Sequence, residues 1–248
     1  MAAFPERLIL FDIDCTLVDA HGAGGRAILQ AIAEVYGLRG EVGDYSFHGR
    51  TDPEIVLDLV RMWGGDGRGA EDGAAAGGGS AAGAAADGLL GRCLARYVEL
   101  LEGEVARGRV EVLPGVKELV TALAADRRAL VGLLTGNVAE GARIKLGPTG
   151  LWPLFRVGAF GSDSAVRGDL PPLAVARAEA LSGRRFRGKE VVVVGDTPAD
   201  IECGRPLGVK AVAVATGRHS PEELAAHGPD HVFADFSDWQ AAYAAMLA

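Results

Sequence analysis

Three apolar runs that each close on a polar cluster constrain this chain more than any other feature. Arg7 to Leu10, the start of a strand-like run over Leu8 to Ile13, closes on Phe11-Asp12-Ile13-Asp14-Cys15-Thr16, Ala129 to Leu134 on Thr135-Gly136-Asn137, and Val191 to Val194 on Gly195-Asp196-Thr197-Pro198-Ala199-Asp200. Short apolar runs bounded by turn residues read as buried strands. These and similar runs at Ala211 to Val214 and His231 to Phe233, with a weaker one at Arg156 to Phe160, alternate with helical patterns. That alternation predicts an α/β fold with a doubly wound parallel sheet whose ligands sit at the carboxyl ends of the strands. All three polar clusters fall at that edge.

Over a hundred residues separate Ile13 from Ala129. This is far more than one crossover helix needs, so a separate module is expected between the first two strands. Ala23 to Tyr36, Asp52 to Met62 and Leu89 to Glu104 read as its helices. The tract 64–88 carries Gly, Ala and small or charged residues without a large apolar side chain. Burial cannot repay its ordering entropy, which predicts a flexible insertion. Gly83 and the flanking glycines argue against a helix over Ala81 to Ala86.

A net charge of -8 and the lack of any Lys or Arg run exclude a phosphate-backbone footprint, so no nucleic-acid partner is expected. Cys15, Cys93 and Cys203 form no CxxC pair, which predicts neither a disulfide framework nor a zinc site. The N-terminus lacks a signal-peptide pattern and no apolar stretch reaches a membrane span, so a soluble, cytoplasmic protein without membrane partners is expected.

Asp12 and Asp14, two residues apart at a strand end, are expected on one face of the sheet. Such a pair requires a divalent cation, a shared proton or a cationic partner to offset its repulsion. DxDxT, then TGN, a basic residue and GDxxxD, in that order, resembles the haloacid dehalogenase superfamily of phosphohydrolases, most closely its phosphoglycolate phosphatase branch. The resemblance runs from about Leu8 to Val232. It implies a Rossmann-like core of residues 1–18 and 111–248 and a helical cap of residues 19–110. It also implies an aspartyl-phosphate intermediate on Asp12, with Asp14 serving first as acid and then as base. Asp12, the Asp14 backbone carbonyl and Asp196 would hold Mg2+, with Asp200 behind them. Thr135, Gly136 and Asn137 would hold the transferring phosphate. Asn137 reads equally as a helix cap, and Asp200 also as an ordinary helix-start acid.

The resemblance also implies a lysine bridging nucleophile and phosphate. Lys189 and Lys210 precede their strands, about 15 Å from the active edge. Lys145 lies some ten residues beyond Thr135, again about 15 Å away along a helix. Lys117 begins a helix at the correct edge but on its solvated side. Arg167, between the weaker strand and the next helix, is therefore assigned the role. Cys15 is expected to be an inert packing residue. In the cap, His48, Gly49, Arg50 and Thr51 resemble a substrate-facing loop, with Arg50 suited to a substrate carboxylate and His21 and Arg26 within reach of the cleft. The function expected is hydrolysis of a small phosphorylated metabolite. A sugar phosphomutase of the same superfamily and a non-catalytic phospho-accepting module are the alternatives, and the oligomeric state is open.

Overall fold

The computed structural model describes residues 5–64 and 81–248. In chain order its strands are β1 (Arg7–Phe11), β2 (Val18–Asp19), β3 (Glu111–Val112), β4 (Ala129–Thr135), β5 (Val157–Phe160), β6 (Val191–Gly195), β7 (Lys210–Val214) and β8 (His231–Phe233). The helices are α1 (Ala23–Val35), α2 (Asp52–Gly64), α3 (Ala81–Arg107), α4 (Val116–Ala125), α5 (Ala139–Leu146), α6 (Leu170–Ser182), α7 (Pro198–Cys203), α8 (Pro221–Ala225) and α9 (Trp239–Leu247).

Six strands form one parallel sheet in the order β5-β4-β1-β6-β7-β8. Its strands show no polar alternation because both faces are covered. Ile9, Phe11, Val131, Leu133, Val192 and Val194 face a cluster that includes Val116, Leu119 and Val120 of α4 and Ala242 and Met246 of α9. Leu8, Leu10, Leu130, Leu134, Val191 and Val193 face Leu170, Ala174 and Ala178 of α6. In register, Phe11 pairs with Leu133 on one side and Val194 on the other. The residues that follow these three strands therefore converge at one end of the sheet.

β1 stops at Phe11, two residues before the expected end. Asp12 still donates its N–H to Val194 O at 2.9 Å, but the chain then turns, with Leu17 N–H bonded to Ile13 O at 2.9 Å and Asp14 bridged to Val18. Asp12 and Asp14 thus both lie beyond the end of β1, Asp12 still bonded to β6 and Asp14 inside the turn that begins at Ile13. Cys15 adopts a left-handed φ of 58° there.

Sequence patterning also missed the antiparallel pair of β2 and β3, joined in register Val18 to Val112. At two residues each, these strands are too short to show an alternation. The pair stands where the chain leaves the parallel sheet region and where it returns. Between its strands, α1, α2 and α3 share an apolar cluster built on Ile28, Ile32, Leu59, Tyr97 and Leu101. Val138 and Ile144, from the segment after β4, belong to the same cluster. The expected flexible insertion at 64–88 falls largely outside the described residues. α3 begins at Ala81 rather than Leu89. The alanines favour the helix enough to offset the roughly 1 kcal/mol cost of Gly83, because extending an existing helix needs no new nucleus.

Candidate active site

Asp12 lies at the end of the central strand, 8% exposed. Burial and the Asp200 carboxylate push its pKa up to about 7 against the opposing pull of Arg167. Arg167 is also 8% exposed, with Nη2 at 3.4 Å from Asp12 Oδ1, and it donates to Asp200 Oδ1. Its Nε is buried without a partner among the described residues. Asp200 has a second attachment: its Oδ2 accepts from Thr197 N–H at 3.0 Å and Thr197 Oγ1 at 2.6 Å, closing a capping box at the start of α7. It is both a helix-start acid and the partner of Arg167.

The structure corrects the placement of Lys145. Its Nζ donates to Asp14 Oδ2 at 2.6 Å, Asp14 Oδ1 at 2.8 Å and Asn137 Oδ1 at 2.6 Å, and the residue is 4% exposed. Counting rise along the helix assumed that α5 runs directly away from the strand end. Instead α5 lies under the helical module, with Ile144 packed into that module's apolar cluster, and Lys145 turns back to the site. Burial pushes the Asp14 carboxyl up, but the Lys145 ammonium outweighs it and holds the group below its usual range. The expectation of one cation is therefore replaced by two, Arg167 beside Asp12 and Lys145 beside Asp14.

Asn137 is not a helix cap. Val138 occupies the cap position of α5, while Asn137 Nδ2 donates to Asp14 Oδ2 at 2.8 Å and Thr135 Oγ1 at 2.9 Å. Thr135 is fully buried. Gly136 meets protein rather than open space on the side where a side chain would stand: a Cβ there would come within 2.0 Å of Arg50 O. The loop 49–53 is pressed onto this turn. Asp52 N–H bonds Gly136 O at 2.8 Å, Val138 N–H bonds Asp52 Oδ2 at 2.8 Å, and Thr51 Oγ1 donates to Ala165 O at 2.7 Å. Thr51 and Asp52 thus join the helical module to the sheet; Asp52 was expected in the substrate-facing loop, but its bond to Val138 was not foreseen.

Arg50 is engaged within its own module. Its Nη1 contacts Glu54 Oε1 at 2.5 Å and Asp58 Oδ2 at 3.0 Å, and its guanidinium lies 4.9 Å from the Tyr45 ring centroid. Two carboxylates already compensate its charge, which replaces the expectation of a cation waiting for a substrate carboxylate. Arg26 pairs with Glu104 at 2.6 Å and His21 with Asp19 at 3.2 Å, so both are tied up at the surface rather than turned into the cleft. The cleft is lined instead by Gly22, Gly24 and Gly25 of the α1 start, together with His48. Gly24 leaves room for Lys145, whose Nζ would be 3.2 Å from a Cβ at that position.

These groups surround a cavity of about 220 Å³ between sheet and helical module. Asp12 and Asp196 line it, and with Asp200 behind them their carboxylate oxygens lie within 4.8 Å of one another. Asp196 is 1% exposed, its Oδ2 has no partner among the described residues, and burial with the neighbouring acids pushes its pKa up to about 9. Gly217, unnoticed in the sequence, leaves this oxygen free: a Cβ there would stand 1.9 Å from Oδ2. An orphaned buried oxygen among clustered acids fits a hard divalent cation. Cys15 sits beside these acids, and burial raises its thiol to about 12, which leaves it inert as a nucleophile.

Residues 166–239 match the model of the HAD-hydrolase-like family. A phosphoglycolate phosphatase of Synechococcus elongatus is 30% identical over 131 residues, 52% of this chain; the match spans 58% of that relative's length. A phosphoglycolate phosphatase of Yersinia pseudotuberculosis is 27% identical over 94% of this chain and 90% of its own. The crystal structure of CbbY from Rhodobacter sphaeroides in complex with phosphate has a TM-score of 0.66 at 18% identity, covering 94% of this chain and 95% of that one. Similar folds also occur in chains described as β-phosphoglucomutases. Residues 166–239 thus resemble the HAD-hydrolase-like family, and the curated relatives that the chain is similar to are described as phosphoglycolate phosphatases.

Proposed function

We propose that this chain is a magnesium-dependent phosphatase that hydrolyses a small phosphate monoester of the phosphoglycolate class through a phosphoaspartate on Asp12. The observation that carries the reading is a buried carboxylate at the end of the central strand, flanked by Arg167 at 3.4 Å and by a second carboxylate, Asp14, braced by Lys145. In the first half-reaction an Asp12 oxygen attacks phosphorus, and the bond from phosphorus to the ester oxygen breaks. Arg167 offsets the charge on the transferring group from the Asp12 side. Asp14 gives its proton to the leaving oxygen in this first half. In the second half it is the carboxylate, stabilised by Lys145, that takes a proton from the water attacking phosphorus as the bond from phosphorus to the Asp12 oxygen breaks. The proton taken up replaces the one given. A magnesium ion held by Asp12, the Asp14 backbone carbonyl and Asp196 would neutralise charge between the acids and the phosphate dianion. The two relatives described as phosphoglycolate phosphatases support the substrate class, as does the small cavity.

The test is phosphate release from a panel of small monoesters, with and without magnesium, by the parent and by Asp12→Asn. Loss of several orders of magnitude in a folded Asp12→Asn supports the covalent route. Activity within tenfold of the parent would sink it. A phosphoenzyme that survives isolation and transfers to a sugar phosphate rather than to water would identify a mutase instead.

A further inference from the structure

A second set of donors stands beside the acidic cluster and differs from it in chemistry. Donor atoms of Cys15, His48 and Asp196 lie within 4.8 Å of one another: a sulfur from the turn after β1, an imidazole nitrogen from the loop before α2, and a carboxylate oxygen from the end of β6. The Asp196 oxygens are distinguished by their surroundings. Oδ1 accepts from Thr16 Oγ1 at 3.4 Å, whereas Oδ2 has no partner among the described residues. Oδ2 faces the side of Cys15, because a Cβ at Gly217 would stand 1.9 Å from Oδ2 and 3.3 Å from Cys15 Cβ.

The other two donors are held in place and uncommitted. Cys15 is fixed at a left-handed φ of 58° by its N–H bond to Val18 O at 2.8 Å and by Thr216 Oγ1, which donates to its carbonyl at 2.5 Å. The loop carrying His48 is pressed on the start of α7, since a Cβ at the adjacent Gly49 would be 2.9 Å from Ala199 Cβ and 3.2 Å from Thr197 Oγ1. The His48 ring makes no hydrogen bond to another described residue. A sulfur, an imidazole and one carboxylate are the ligands of a borderline-soft cation and not of magnesium, and three protein ligands leave a fourth position open.

We propose that Cys15, His48 and Asp196 form an inhibitory site for a thiophilic divalent cation of the zinc class. Binding displaces the thiol proton to solvent and forms bonds to sulfur, nitrogen and oxygen. It ties the loop 46–50 to the end of the sheet and withdraws Asp196 from the oxygen-only set of Asp12, Asp196 and Asp200. The hard cation and the thiophilic one therefore exclude each other.

Cadmium is the probe, because its thiolate complex gives a charge-transfer absorption that oxygen-only binding does not. The full-length parent is expected to take up one equivalent with this absorption, and zinc should abolish it. Cys15→Ser should lose the absorption and require at least roughly tenfold more zinc to inhibit magnesium-supported turnover, while His48→Ala should weaken cadmium binding roughly tenfold. Should Cys15→Ser fail to fold, Cys15→Gly replaces it, since glycine accepts the left-handed conformation. The proposal is overturned if the parent shows no cadmium–thiolate absorption, if the absorption persists without Cys15 and so comes from Cys93 or Cys203, or if zinc inhibits the Cys15 variant as strongly as the parent. Magnesium-supported turnover of the parent is measured separately, so failure here leaves the phosphatase reading standing.

Discussion

Lys145 and Arg167 each sit against a different acid of the proposed reaction, Asp14 and Asp12, and their consequences for turnover should differ accordingly. Removing the Lys145 ammonium leaves Asp14 and Asn137 without the donor that contacts them at 2.6 to 2.8 Å in a buried site. Lys145→Ala is expected to lower kcat by roughly a hundredfold, with a smaller change in KM, because it disables the proton carrier. Arg167→Ala should lower kcat and raise KM together, since in the proposed reaction the guanidinium beside Asp12 would serve both phosphate binding and transfer. A kcat for Lys145→Ala within threefold of the parent would remove Lys145 from the reaction. The acids were legible in the sequence because each ends an apolar run. Lys145 was not, because its position depends on the direction in which α5 leaves the sheet, which Ile144 and Val138 fix by packing into a cluster of residues far away in the chain. Arg50 failed for a related reason: Glu54 and Asp58, four and eight residues on, claim its charge once α2 forms.

At the scale of elements, the loop 49–53 and the turn after β4 are held together by the Asp52 bonds and by the close approach of Gly136 to Arg50 O. Gly136→Ala would push a methyl group to within 2.0 Å of Arg50 O, so loop and turn must separate. We expect a loss on the order of 1–3 kcal/mol in stability and a marked fall in kcat/KM. Unchanged melting and turnover would show that the loop shifts freely. Asp52, in the same contact, gives a pH dependence. Burial pushes its carboxyl up to about 6 despite Lys145 and the Val138 N–H, with Asp14 and Tyr97 also facing it. A folded pKa above the unfolded one means the native state binds more protons between about pH 4 and 6, so this group's stabilisation is present below that window and lost as pH rises through it. Asp52→Asn, neutral throughout and still able to accept from Val138, should be more stable than the parent at pH 7 by on the order of 1–3 kcal/mol, and no more stable than the parent at pH 3.5. A gain of the same size at both values would refute the titration argument. The helices α1 and α2 were readable from their spacing, whereas the β2 and β3 pair that brackets the module was too short to leave a period.

For the whole molecule, the strand order brings β1, β4 and β6 side by side, so their three polar termini meet at one end of the sheet. This much followed from the sequence, since buried parallel strands can place their motifs only at a common edge. What the strand pattern could not show is that the acids gathered there outnumber the nearby cation: Asp12, Asp196 and Asp200 share Arg167. The fold therefore gathers buried acids whose mutual repulsion a divalent ion would relieve, and stability should depend on that ion. At a magnesium concentration a hundred times its dissociation constant, linkage gives about 2.7 kcal/mol, and for a chain of this size that raises Tm by roughly 5–10 °C. Asp196→Asn removes both the buried repulsion and the orphaned oxygen. Its metal-free Tm should lie above that of the metal-free parent, and magnesium should move it by less than about a quarter of the parent's shift. Thermal melts of both proteins with chelator and with magnesium decide the matter: an unmoved parent, or equal shifts in parent and variant, would mean that Asp196 is not where the cation stabilises the fold.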